Sequence, residues 1–332
     1  VIDLSVGTPV DPTPSVVQQA LRDAADAPGY PTAAGRTEMR AACARWLSRT
    51  TGTEVDVDAI LPTIGSKEMV AGLPRLLGLG ASSRIVIPRI AYPTYAVGAV
   101  LAGAEYVATD EPESVPGVDL AWLNSPGNPT GRVLSASRLA SIVDWARSTG
   151  TVLVSDECYI ELGWEEEPVS LLHPTVSGGS HEGLLVLHSL SKRSNLAGYR
   201  FGFLAGDPDL VRRILLVRKH SGMMVPSPIQ AAAVAALDDD VHVREQKERY
   251  RTRRSLLMSA VTAAGFRIDD SEAGLYLWIT RGEQCWDTVG WFADRGIVVT
   301  PGDFYGSAGE RHVRMALTAT DEAMEQVPGR LG

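Results

Sequence analysis

Between residues 59 and 220 the chain alternates short, β-branched apolar runs with longer stretches of helical periodicity. Few folds accept that alternation. Strands that are apolar on both faces belong inside a parallel sheet, and the intervening helices are the crossovers that cover it. The pattern predicts strands at 59–63, 84–88, 105–108, 119–123, 151–155, 184–188 and 201–205, with helices at 66–78, 93–102, 135–148 and 208–220. Past residue 238 the pattern changes. A long charged helix, 241–264, leads into short strands at 266–268, 275–280, 296–299 and 312–316 and one helix at 286–295. The expected fold is therefore α/β: a mostly parallel seven-stranded sheet sandwiched by helices over residues 30–238. A smaller α+β domain is expected from 239–332 together with 1–29, with a hinge near the start of the long helix.

Composition narrows the function. With 332 residues, 45% of them hydrophobic and 21% charged, the chain has ordinary globular values. A net charge of −9 argues against a phosphate-backbone partner, which needs a basic face. Cys43, Cys158 and Cys285 are far apart and in no metal-ligand spacing, so neither a disulfide framework nor a zinc site is expected. No run is long enough to span a bilayer, and no basic region followed by an apolar core opens the chain. A cytoplasmic protein working on small molecules is the expectation. Val1 already lies in an extended segment, Val1 to Gly7, so an arm is expected to precede it.

Four lysines are present, and one of them, Lys192, follows the apolar run Gly183 to His188. Ligands of open α/β sheets bind beyond the carboxyl ends of the strands, which makes Lys192 a candidate nucleophilic amine. Lys67 begins a helix, while Lys219 and Lys247 sit among charges on helix faces. Two further strands end in polar residues. Asp156 and Tyr159 follow Thr151 to Ser155; the plain alternatives are a helix cap and half-buried core. Asn128 lies in Asn124-Ser125-Pro126-Gly127-Asn128-Pro129-Thr130-Gly131, which alone reads as an Asn-Pro turn. Ile64-Gly65-Ser66-Lys67 is a glycine turn opening a helix, an anion-binding geometry, and Arg200 with Ser189 could join it, although Arg200 alone reads as a surface arginine. Arg314 alternates with apolar neighbours in a predicted strand and needs an anion, either a ligand carboxylate or one of the chain's own acids. Tyr92, just before Pro93, is more often plain packing.

The spacing S-x-x-K-x-x-x-x-x-G-x-R from Ser189 to Arg200 resembles the cofactor-lysine segment of the class I/II aminotransferases, fold type I. The likeness runs from Ser5-Val6-Gly7-Thr8-Pro9 to Arg314. It implies pyridoxal 5′-phosphate (PLP) as cofactor, joined to Lys192, with Asp156 at the pyridine nitrogen and Asn128 and Tyr159 at the ring oxygen. Tyr92 would stack on the ring, and Ser66, Lys67, Ser189 and Arg200 would hold the phosphate. It further implies Gly7, Asn128 and Arg314 as substrate contacts, and a homodimer in which Tyr30 of the Gly29 to Gly35 loop reaches the other subunit's phosphate. Several stretches, among them 65–68, 123–133, 155–164, 218–226 and 301–306, are similar to the succinyldiaminopimelate aminotransferases of actinobacteria. That narrower likeness implies glutamate as donor and N-succinyl-2-amino-6-oxopimelate as acceptor, in lysine and diaminopimelate biosynthesis. Both carry extra carboxylates, so cationic groups beyond Arg314 are expected in the pocket, Arg36 among them. The family carries an arm and a first helix before the segment that corresponds to Ser5–Pro9, and such a segment is expected ahead of Val1.

Other chemistries stay open on this sequence. The same lysine, aspartate and asparagine serve transaminases of aspartate, aromatic or other amino acids, and β-lyases. A PLP-sensing regulator would carry an attached helix-turn-helix, and none is visible. A nicotinamide dehydrogenase would need G-x-G-x-x-G after a strand, which Gly78-Leu79-Gly80 does not supply.

Overall fold

The computed structural model describes all of residues 1–332. The first strand, β1 (Ile2–Asp3), belongs to the C-terminal part of the molecule, as described below. The large sheet is built from β2 (Ile60–Thr63), β3 (Arg84–Ile87), β4 (Glu105–Ala108), β5 (Leu120–Asn124), β6 (Val152–Asp156), β7 (Leu184–Ser189) and β8 (Gly202–Gly206). These seven strands lie in the order β2-β8-β7-β6-β5-β3-β4, and only β8 runs against its neighbours. The period-2 alternation of strand side chains divides the core in two. Ala121 and Leu123 of β5 join a cluster with Met39, Leu47, Leu139, Ile142, Ala232 and Ala236, whereas Leu120 and Trp122 join Met69, Leu73, Tyr95, Ala99, Leu210 and Ile214. Helices cover both faces, as the alternation in the sequence demands.

The helices Ser66–Leu76, Thr94–Ala102, Ala136–Thr149 and Pro208–Arg218 match the sequence reading to within two residues at either end. Three other helices of nine residues or more escaped it, Ser15–Asp23, Thr37–Thr51 and Ser227–Asp238, as did the short ones such as Asp321–Glu325 and Val327–Leu331. The buried face of the second is Met39, Ala42, Cys43, Trp46 and Leu47, and that of the third is mostly alanine. Small residues give little contrast to a hydrophobic period.

Beyond the long helix Val241–Ala263 come β9 (Arg267–Asp269), β10 (Tyr276–Thr280), β11 (Ile297–Val298), β12 (Thr300–Pro301) and β13 (Val313–Ala316). Four of them form an antiparallel sheet in the order β12-β13-β10-β9, while β11 pairs in parallel with β1. Ile2 and Leu4 share a core with Leu257, Leu277, Phe292 and Val313. The long helix ties the molecule together. Its buried Arg253 donates to Asp11 at 2.7 Å and to Asp321 at 2.6 Å, and its Tyr250 hydroxyl reaches the Lys192 carbonyl at 3.4 Å. No helix is long and apolar enough to cross a membrane.

Candidate active site

At the carboxyl ends of β5, β6 and β7 the large sheet faces the small one across a cleft of about 1130 Å³. Asn124 and Asp156, the last residues of β5 and β6, are register partners, so their side chains leave the sheet on the same side. Asn124 is a builder rather than a reagent. Its Nδ2 donates to the Asp156 carbonyl at 2.9 Å and the Pro126 carbonyl at 3.0 Å, and its Oδ1 accepts from the Asn128 amide at 2.8 Å. The turn carrying Asn128 is thereby fixed to the strand ends. Asp156 is 6% exposed and accepts from the Tyr95 hydroxyl at 2.9 Å and the Cys158 amide at 3.3 Å. Burial raises its carboxyl pKa despite those bonds. Neither partner is charged, so this buried carboxylate has room for a cation.

Ser189 ends β7, and its Oγ accepts from the Ser191 amide at 3.2 Å, which starts the short turn Leu190–Arg193. Lys192 sits on that turn and donates from Nζ to the Gly7 carbonyl at 2.6 Å. Facing it, Gly65 (φ 72°) opens the Ser66–Leu76 helix, whose first amides have no intrahelical acceptor. A Cβ on Gly65 would meet Arg200 Nη2 at 2.1 Å; only glycine lets the guanidinium close over the helix N-terminus. Arg200 itself adopts φ 57° and is tied to the Ala197 carbonyl at 2.8 Å. A helix N-terminus, an exposed guanidinium and the Ser189 and Ser66 hydroxyls together make an anion cup. Tyr92 borders the cup, with Lys67 Nζ 5.7 Å from its ring centre.

On the opposite wall Arg314 of β13 is 7% exposed. Nη1 donates to Asn128 Oδ1 at 2.9 Å, Nη2 donates to the Ser5 carbonyl, and Nε is buried without a partner. Its guanidinium carbon lies 4.0 Å from the centre of the Tyr276 ring, a cation–π contact. No carboxylate neutralises it: the plain alternative of an internal ion pair is not what the fold builds. Below it the hydroxyls of Tyr159 and Tyr276 are 3.1 Å apart. Burial pushes the Tyr159 hydroxyl pKa well up. At Tyr276 burial acts the same way, but the charges of Arg314 and Lys192 outweigh it and draw the pKa down, so Tyr276 is the more acidic of the two.

Of the residues singled out in the sequence, Gly7, Ser66, Lys67, Tyr92, Asn128, Asp156, Tyr159, Ser189, Lys192, Arg200 and Arg314 all border this one cleft. Tyr30 does not; it is 95% exposed on the outside of the chain. Arg36 lines a separate surface pocket with Ala20 and Gln230 and pairs with Glu38 at 3.4 Å. The expectation of extra cations therefore fails within one chain: the only lysines and arginines bordering the cleft are Lys67, Lys192, Arg200 and Arg314. Sequence reasoning missed Tyr95, Cys158 and Tyr276. Tyr276 had a signal, because a strand over 275–280 beside the Arg314 strand puts its even-numbered residues on one face. Trp286, Val298 and Phe304, at the mouth, carried none.

The donor set fits PLP. The cup suits its phosphate, the cation-free Asp156 suits a protonated ring nitrogen, Tyr92 offers a flat face, and Lys192 borders the same space. The comparisons agree. The family model for aminotransferases of class I and II matches residues 1–331. The chain is 56% identical to a probable aminotransferase of Mycobacterium tuberculosis, with 100% of this chain and 80% of that one covered. It is 55% identical to the 4-dedimethylamino-4-oxo-anhydrotetracycline transaminase OxyQ of Streptomyces rimosus, with 99% and 92% covered. A solved aminotransferase from Neisseria meningitidis superposes with a TM-score of 0.91 at 30% identity, over 99% of this chain and 90% of that one. Eleven side chains and backbone groups, drawn from every part of a chain that matches from end to end, thus converge on one cleft, and the protein belongs to the class I and II aminotransferases, which use pyridoxal phosphate.

Proposed function

We propose that this chain moves an amino group between glutamate and an oxo acid in two half-reactions at the cleft, and that N-succinyl-2-amino-6-oxopimelate is the acceptor. The observation that carries the reading is Arg314: a buried guanidinium, without an internal carboxylate, bordering the same cleft as Lys192. Its fork matches the α-carboxylate that every amino-acid and 2-oxo-acid substrate presents. Bound in the cup, PLP supplies an aldehyde that takes up amines and a ring that draws electrons from the substrate Cα. Asp156 holds the ring nitrogen protonated, and that proton in turn keeps Asp156 ionised despite its burial. Lys192 Nζ would anchor the cofactor and, when free of it, would take and return the proton at the substrate Cα. Asn128 holds Arg314 in place with Oδ1, and its Nδ2, together with the Tyr159 hydroxyl, would serve the ring oxygen of the cofactor. Ser66, Lys67, Ser189 and Arg200 hold the phosphate, and Gly7 contributes its carbonyl.

The exposed Tyr30 is assigned to the phosphate of a second copy, which makes the working enzyme a homodimer with shared sites. Within each copy, residues 1–29 and 239–332 are assigned to the small domain and 30–238 to the large one, with Val17 and Leu21 of the Ser15–Asp23 helix packing onto the large domain's core. The volume of the cleft supports an acceptor with a long side chain, as do the stretches shared with succinyldiaminopimelate aminotransferases.

A second reading has its own support. The mouth of the cleft is apolar and aromatic, with Trp286 61%, Phe304 62% and Val298 40% exposed, and a relative at 55% identity is named for a polycyclic oxo substrate. An acceptor with a ring or apolar side chain would suit that wall. One experiment separates the two. The PLP-loaded protein is bleached with glutamate, and oxo acids are offered singly: N-succinyl-2-amino-6-oxopimelate, an aryl 2-oxo acid, oxaloacetate and a polycyclic ketone. The acceptor that restores the visible absorbance fastest is the substrate class, and failure of glutamate to bleach the protein removes the donor assignment.

A further inference from the structure

Three residues that border the cleft have chain neighbours that meet one another behind it. Glu157 follows Asp156, His188 precedes Ser189, and Arg193 follows Lys192. With Trp46 from the Thr37–Thr51 helix, these neighbours line a small cavity of about 10 Å³ beneath the site floor. All four are buried, at most 4% exposed, and each has polar atoms without a hydrogen-bond partner: Trp46 Nε1, Glu157 Oε2, both His188 ring nitrogens and Arg193 Nη2.

None of these groups is free to turn toward solvent. Glu157 Oε1 accepts from the Leu171 amide at 2.7 Å, and Arg193 Nη1 donates to the Ala236 carbonyl at 3.0 Å while Nε pairs with Glu161. The His188 ring is wedged between Trp46, at 4.9 Å, and Phe203, at 5.1 Å. Glu157 Oε2 and His188 Nε2 are 3.5 Å apart, too far for a good direct bond. Orphaned buried donors and acceptors are costly. A cavity of this size admits the centre of one water, which typically satisfies two to four such groups.

We propose that the cavity is a solvent site for one ordered water, bridging Glu157, His188 and Arg193, and that Glu157 is a positioning residue clamping together the turns that carry Asp156, Ser189 and Lys192. The inference rests on reading those three as the site, but the water and the stability profile below are measured without substrate, so the two ideas can fail separately.

Protonation follows from the surroundings. Burial pushes the Glu157 carboxyl up to about 8, and burial with the Arg193 charge pushes His188 down to about 3. The other ionisable groups facing the pair are Asp156, which raises Glu157 further, and Glu161, already paired with Arg193. At neutral pH the folded pair thus keeps one proton, on Glu157. Unfolded, the two groups return to ordinary values of 4.5 and 6.5. Between those values both states hold one proton and stability is flat. From pH 6.5 toward 8 the folded state holds one more, so stability falls as pH rises; below 4.5 the unfolded state holds one more, and stability falls with falling pH.

The test uses the PLP-loaded protein. A high-resolution crystal structure is expected to show one water in the cavity. Glu157→Gln removes the carboxyl titration, so its unfolding midpoint should rise from pH 5 to 6.5 and then hold level, where the parent stays level and then declines. Glu157→Leu should lower kcat by about tenfold with KM nearly unchanged, because the turns carrying Asp156, Ser189 and Lys192 lose the group that orients them, and Glu157→Gln should restore it. A dry cavity, or the parental pH profile in Glu157→Gln, overturns the proposal; if Glu157→Leu does not fold, the Gln variant alone decides.

Discussion

The floor and the mouth of the cleft are built on opposite terms. On the floor Asp156, Asn128 and Arg314 are 6%, 8% and 7% exposed, and each is held by named hydrogen bonds to strand ends or to another site residue. At the mouth Trp286 and Phe304 are more than half exposed, and the one bond that steadies Trp286, from Nε1 to Asp303 Oδ2 at 2.8 Å, joins two side chains of the same wall. Preorganised groups in a buried site need no rearrangement when charge develops. Exposed side chains can be exchanged without repacking a core. On the proposed function, the floor would fix the reaction and the mouth would leave the choice of acceptor open to change.

The largest break in that contrast comes from the floor. Lys192→Ala is expected to remove the visible absorbance of the cofactor-bound protein and to reduce transamination by at least about 10³-fold, in keeping with the loss of a positioned proton carrier; retention of either signal refutes the assignment. Next in size is Arg314→Lys, which keeps the charge but loses the fork. Losing a buried charge-assisted contact costs roughly 2–5 kcal/mol, so kcat/KM for glutamate should fall by about 30-fold or more. An unchanged value would mean that the α-carboxylate binds elsewhere. The smallest effect belongs to the mouth. Trp286→Ala combined with Phe304→Ala should re-rank the oxo-acid panel by about tenfold, the scale of apolar side-chain discrimination, while altering the glutamate half-reaction less. If the double variant slows both half-reactions alike, the mouth is part of the catalytic floor after all.

The sequence told more about the floor than about the mouth, for a physical reason. Lys192, Asp156, Ser189 and Asn128 sit at or just beyond strand ends, and strands buried on both faces announce themselves as apolar runs. Gly65 before Ser66 marked the helix whose N-terminus forms the cup. Tyr95 was hidden because its role is to hold Asp156 from a helix 61 positions away, a long-range contact with no local signature. Arg36, like Tyr30 beside it in the chain, lies outside this chain's own cleft, and nearness in sequence carried no information on which copy's site it would face. The helix Ser227–Asp238 went unread because its mostly alanine buried face advertises little period, whereas Thr37–Thr51 carried a helical period in Met39, Ala42, Cys43, Trp46 and Leu47 that sequence reasoning missed.

Gly7 shows what a residue without a side chain can govern. Its carbonyl takes the Lys192 ammonium at 2.6 Å, while the preceding carbonyls of Val6 and Ser5 take Thr318 at 2.8 Å and Thr300 at 2.7 Å. A methyl group at position 7 would overlap the Tyr276 hydroxyl, 2.0 Å away. The first residues are thus laced to the C-terminal part and, through one bond, to the Lys192 amine. On the proposed function, drawing that amine away from Gly7 to join PLP would loosen one stitch of the lacing, so that arrival of the vitamin would be felt at the beginning of the chain before any amino acid is touched.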